Sequence, residues 1–180
     1  MDSPAGPVFD PVLTPAAYQA SLLAALGDDD PAEAQATTPA RLRAIVAEAG
    51  ELLRLRPEPG EWSVLECLAH IADGELASSA RYRWIVAQDE PDLIGYDQDA
   101  WVERLHAGED PDVLLGMFDA LRRANLDLWA RLPVADRARL GIHRERGPES
   151  YELTFRLLAG HDRIHLAQAS RALAAVRRAR

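Results

Sequence analysis

The sequence predicts an all-α protein: a four-helix bundle with an additional short N-terminal helix and a long loop between the second and third bundle helices. Three observations carry this. Apolar residues recur three and four positions apart along four long segments, strand-like alternation is absent, and helix-starting signals punctuate the chain. The 180 residues, 48% hydrophobic and 27% charged, fit one domain with a sizeable core. Within that domain, residues 1–36 are expected to form an N-terminal extension carrying the short helix, and residues 37–178 the bundle. There is no internal repeat or low-complexity tract.

The element starts follow from local chemistry. Thr14-Pro15, Thr38-Pro39 and Asp110-Pro111 each place a capping oxygen before a proline, whose missing N–H costs nothing in a first helical turn. Ser63-Val64-Leu65-Glu66 is a capping box, with Trp62 positioned to staple against the helix at Cys67. Gly147-Pro148 opens a fifth helix. The predicted helices are 15–26, 39–55, 64–88, 111–131 and 149–177. GDDDPAEAQATT, QDEPDLIGYDQD and the run from Pro133 to Gly147 read as connections, rich in turn formers and charge. The connection 89–109 is long for a compact bundle and carries Tyr96, Trp101 and His106, which marks it as a lid or binding loop.

Composition narrows the partners. All 20 basic residues are arginine, against 29 acidic residues, for a formal net charge of -9. Nucleic acid and anionic membranes both need a basic face, so neither is expected as a partner. The single cysteine, Cys67, rules out an intrachain disulfide framework and a cysteine-rich zinc site. The opening MDSPAGPVFDP has neither a basic n-region nor an apolar h-region, and no apolar run approaches bilayer length. A soluble, unprocessed, cytoplasmic protein is the expectation.

The chemistry concentrates in AGHDRIHLAQ, residues 159–168. On the last helix Thr154, Leu157, Leu158, His161, Ile164, His165, Gln168, Ala172 and Val176 share one face, opposite Glu152, Arg156, Arg163, Ser170 and Arg177. Both histidines therefore lie in the apolar stripe, one turn or ~6 Å apart. Two imidazoles so placed either converge on a metal or are satisfied core groups. A third ligand must come from another helix, and His70 is the candidate, on the shoulder of the stripe Leu65, Ala69, Ala72 and Leu76. Asp73, Asp162 and Gln168 are candidates to orient the ligands from behind. Asn125, centred among Leu114, Phe118, Leu121, Leu128 and Leu132, is expected to be buried. Glu66 is assigned to its cap rather than to coordination, Cys67 to the core, and His106 and His143 to solvated connections. In His161-Asp162-Arg163-Ile164-His165 the place of a zinc-protease glutamate is held by the shorter Asp162, which disfavours proteolysis.

EWSVLECLAHIAD, YDQDAW, RANLDLW and AGHDRIHLAQ together resemble the DinB-like (DinB/YfiT) family of metal-binding four-helix bundles, over roughly residues 37 to 175. The resemblance implies that His70, His161 and His165 hold one divalent metal ion, zinc, nickel or iron, with positions left for water or substrate. It further implies a metal-dependent enzyme that activates a low-molecular-weight thiol or water, with thiol transfer favoured and hydrolysis an alternative. A non-catalytic metal-binding stress-response or ligand-binding module is the rival from another class. A homodimer is expected by analogy.

Overall fold

The computed structural model describes residues 14–106 and 108–180. The first 13 residues of the expected N-terminal extension lie outside the described residues. Among the described residues six α-helices follow one another: α1 (Pro15–Leu26), α2 (Pro31–Ala49), α3 (Val64–Ala87), α4 (Gln98–Leu105), α5 (Pro111–Arg131) and α6 (Tyr151–Arg178). Helices α2, α3, α5 and α6 form the bundle.

The caps act largely as the sequence predicts. Ser63 and Glu66 exchange both bonds of the capping box, at 3.2 and 2.8 Å, and Asp110 Oδ1 accepts from the Asp112 amide at 2.9 Å. The first bundle helix starts eight residues earlier than expected. Asp30, not Thr38, is its N-cap, accepting from the amides of Ala32 and Glu33 at 2.8 and 2.9 Å, so Pro31 takes the first-turn proline position. Pro39 therefore lies inside α2, where it removes the bond to the Gln35 carbonyl. The buried Arg122 guanidinium donates to that freed carbonyl at 2.9 Å, which makes the interior proline tolerable.

Each of α2 and α3 packs against both α5 and α6, whereas α2 and α3 touch little. The pairs α2/α3 and α5/α6 are thus diagonal in the bundle, whereas α3 and α5 are neighbours, and the connections from α2 to α3 and from α5 to α6 must cross its ends. The second crossing is stiffened by strands that the alternation pattern did not reveal. β1 (Asp92–Leu93) runs parallel to β2 (Leu140–His143), which pairs antiparallel with β3 (Gly147–Ser150). Gly147, expected to open the last helix, instead ends the three-residue hairpin loop at φ 79°, and Ser150 caps α6. Runs of two and four residues are too short to show a period of two. The expected long loop is likewise structured, by β1 and by α4 with Asp97 as its N-cap.

Helix α1 is part of the packing. Leu22 and Leu26 are buried, and α1 lies along α6, where Gly160 lets the backbones meet. A Cβ on Gly160 would sit 1.9 Å from the Leu22 carbonyl oxygen. Alanine at an interior helix position ordinarily stabilises by up to ~1 kcal/mol over glycine; here Gly160→Ala is expected to destabilise by roughly 1–3 kcal/mol through overpacking. Denaturant unfolding checks the sign, and a gain in stability would disprove the close approach.

A buried polar network ties all four bundle helices together. Arg122 on α5, 1% exposed, donates to Glu75 on α3 through Nε and Nη2 (3.0 and 2.6 Å) and to Asp162 on α6 through Nη1 (2.6 Å). Thr38 on α2 donates to the same Asp162 oxygen at 2.8 Å. Asn125 is buried as expected, its amide donating to Glu75 (2.7 Å) and Ser79 (2.6 Å). Burial pushes the Glu75 carboxyl above its ordinary value, with Arg122 pulling against it.

Candidate metal centre

Three imidazoles meet where α3 faces α6. His70 is brought there by α3, and His161 and His165 by successive turns of α6. His161 Nε2 lies 2.8 Å from His70 Nε2, which lies 3.2 Å from His165 Nε2. Among the described residues these three form a donor group within 4.8 Å of one another, and no carboxylate or thiol joins them. Corners of a tetrahedral zinc site with Zn–N near 2.05 Å would be about 3.3 Å apart, close to the observed spacing.

The proton inventory favours a cation between these rings. His165 Nδ1 donates to Gln168 Oε1 at 2.8 Å, leaving its Nε2 with a bare lone pair. His70 Nε2 stands between the other two Nε2 atoms, and its one site cannot both donate to His165 and accept from His161. The Nδ1 atoms of His70 and His161 are buried without a hydrogen-bond partner among the described residues. Three convergent neutral imidazole nitrogens are a donor set suited to a divalent ion, and the residues fit one.

All three rings favour the neutral ligand form. Burial, then the neighbouring imidazoles, drives His70 and His161 well below the ordinary histidine value. Burial lowers His165 to about 4 despite its bond to Gln168. Folded-state values below the unfolded one mean that the neutral rings contribute stability above pH ~6.5, lost as pH falls toward 4. The denaturation midpoint of chelator-treated protein should therefore drop between pH 6.5 and 4, and less so in His161→Ala. A flat profile across that window would count against buried neutral rings.

The surroundings fix the rings. A Cβ on Gly74 would lie 3.0 Å from His161 Cε1, so glycine makes room for that imidazole. Trp62, expected to staple at Cys67, packs its indole on the imidazole cluster, with ring centroids 4.8 Å from His70 and 5.9 Å from His165. A cavity of about 490 Å³ opens beside His70 and His161, walled by α1, α3, α6, the segment 95–99 and the hairpin tip at Glu145 and Arg146. Its size is that of a small-molecule site.

Of the residues expected to orient the ligands, only Gln168 touches one. Asp73 instead accepts from buried His106 at 2.7 Å, and Asp162 is turned to Arg122 and Thr38, away from the imidazoles. Asp162 is therefore not a protease-like base. His106 and His143, expected in solvent, are each 2% exposed: His106 is clamped between Asp73 and Glu109, and His143 Nδ1 lies 2.9 Å from Glu145. Both sit where the end connections fold back over α3, a long-range placement that no local pattern announces. Tyr96 lines the cavity and its ring lies 4.5 Å from that of Trp101, which is outside the lining. Leu76, expected in the α3 core stripe, is 42% exposed, and the cavity face of α3 runs instead through His70, Gly74, Ser78 and Arg81. Sequence reasoning missed Arg81; its place seven residues after Gly74 and three after Ser78, on one helical face, was the available signal. Glu66 serves its cap and pairs with Arg56, and Cys67 is fully buried, its thiol pushed up to about 12 by burial.

A profile of the DinB superfamily matches residues 32–169. Proteins named "Putative metal-dependent hydrolase" in Bacillus cereus strain B4264, Bacillus mycoides strain KBAB4 and Oceanobacillus iheyensis are 27%, 28% and 26% identical over 108 residues, which is 60% of this chain. The match spans only 62 to 63% of the length of those relatives. The fold is similar to that of YfiT from Bacillus subtilis, described as "a probable metal-dependent hydrolase with an unusual four-helix bundle topology", with a TM-score of 0.71 at 20% identity, covering 99% of this chain and 93% of that one. No helix among the described residues is long and apolar enough to cross a membrane.

Proposed function

The chain belongs to the DinB superfamily, and from that premise we propose that it is a metal-dependent hydrolase whose His70, His161 and His165 hold one divalent ion. The observation that carries this reading is a three-donor set of which two members, His70 and His161, line a cavity, which leaves a coordination position for a small molecule. A fourth protein donor would have made the site structural. When bound, the ion supplies Lewis acidity and a nucleophile near neutral pH without a separate strong base.

The chain's own residues do the rest. Gln168 holds the His165 tautomer so that Nε2 presents its lone pair. Trp62 covers the outer side of His70 and His165, and Gly74 lets His161 approach. Leu22, Leu157 and Leu158 give the cavity an apolar wall that limits water around a reacting bond. Cys67 is too buried and too weakly acidic to act as a nucleophile. On this reading the protein works in the reducing cytoplasm.

A panel of activated esters and amides, with metal-loaded protein, tests the reading. Hydrolysis should be lost on chelation, return on adding zinc, nickel or iron, and be absent in His161→Ala. Turnover that persists after chelation would refute it. Turnover only when a small thiol and an electrophilic acceptor are both present would assign the same site to thiol transfer instead.

A further inference from the structure

The cavity beside the imidazoles contains a cation of its own. Arg81 on α3 is 8% exposed and lines the cavity. Its Nη2 donates to the Ile94 carbonyl at 2.7 Å, and its Nε is buried without a partner. Among the described residues no carboxylate lies within ion-pair distance of it. The buried acid of the neighbouring strand, Glu149, is already engaged by Arg146 and by Gln19, the latter at 2.7 Å. The nearby hydroxyls of Tyr82 and Tyr96 are held neutral by burial. A buried guanidinium with one protein bond and no counter-ion is costly to leave so, and its planar fork matches an oxyanion.

We propose that Arg81 is the anion-binding residue of this cavity and that the ligand is a small monocarboxylate, its carboxylate on Arg81 and its apolar chain along Leu157 and Leu158 toward His161. This deepens the hydrolase reading and rests on it only for where the reacting end points. Arg81 lies seven residues beyond Gly74, the level of the His161 ring, or about 10 Å along α3. Long helical side chains lean back toward the helix N-terminus, so a chain of several carbons bridges the two. Exposed Asp97, Asp99 and Glu145 at the cavity's edge disfavour polyanions such as nucleotides or polyphosphates.

Calorimetric titration with sodium hexanoate and its neutral isostere hexanamide tests the assignment, on metal-loaded and chelator-treated protein. Hexanoate should bind at least tenfold more tightly than hexanamide in both forms. Arg81→Met should erase that preference, and Arg81→Lys should keep part of it, with circular dichroism confirming the fold of each. The comparison of probes on the native chain decides even if the methionine variant fails to fold. Equal or no binding of the two probes, or a preference that survives in Arg81→Met, overturns the proposal. A preference that disappears on chelation places the carboxylate on the metal and overturns it while leaving the hydrolase reading intact. An Arg81-dependent preference in a protein that holds no metal would sink the hydrolase reading alone.

Discussion

Arg122→Met should cost about 3–5 kcal/mol of folding stability, because it leaves two carboxylates buried without their shared cation. Glu75 and Asp162 are 0% and 1% exposed, so water cannot replace the lost guanidinium without opening the bundle. The same change strips the Gln35 carbonyl of the donor that compensates for Pro39. Arg122→Lys should recover only part of the loss, since a point charge cannot meet Glu75, Asp162 and Gln35 together as the planar fork does. Asp162 immediately follows His161, so the damage should extend to the imidazole cluster. Urea unfolding of both variants measures the effect, and a cost below 1 kcal/mol for the methionine variant would contradict the network's structural role.

Removal of the metal should have an effect of comparable size. A ligand that binds only the folded state, at a free concentration about a thousand times its dissociation constant, adds about 4 kcal/mol of stability. For a chain of this size that amounts to roughly 8–16 °C in melting temperature. Chelation should thus lower the melting temperature of the native protein by that order, and re-addition of metal should restore it. His70→Ala should start near the chelated value and respond little to chelator. A melting temperature indifferent to chelation in the native chain would mean that the three imidazoles carry no ion.

The parts of the fold legible in the sequence are those written in local chemistry. Ser63 with Glu66, and Asp110 with Pro111, are complete signals within four residues, and they open α3 and α5 where expected. Thr38-Pro39 carries the same local signal but stands inside α2, because its outcome depends on Arg122, more than eighty residues away. Asp30-Pro31, which does open α2, is hidden in an acidic run that reads as a connection. The metal candidates were legible for two reasons. His161 and His165 share a helical face by spacing, and His70 follows a recognisable motif. The burial of His106 depends on Asp73, 33 residues earlier, and Arg81 gains its meaning only when α1 and the hairpin close a cavity over it. Tertiary contacts of that range leave no periodic trace.

Elemental analysis of the protein purified without an affinity tag, set beside His70→Ala and His161→Ala, probes the metal centre most directly. About one equivalent of a divalent metal per chain is expected in the native protein and almost none in either variant, as three donors from two helices require. Native protein without metal, or variants that retain it undiminished, would contradict the assignment of these three imidazoles as one ion's ligands.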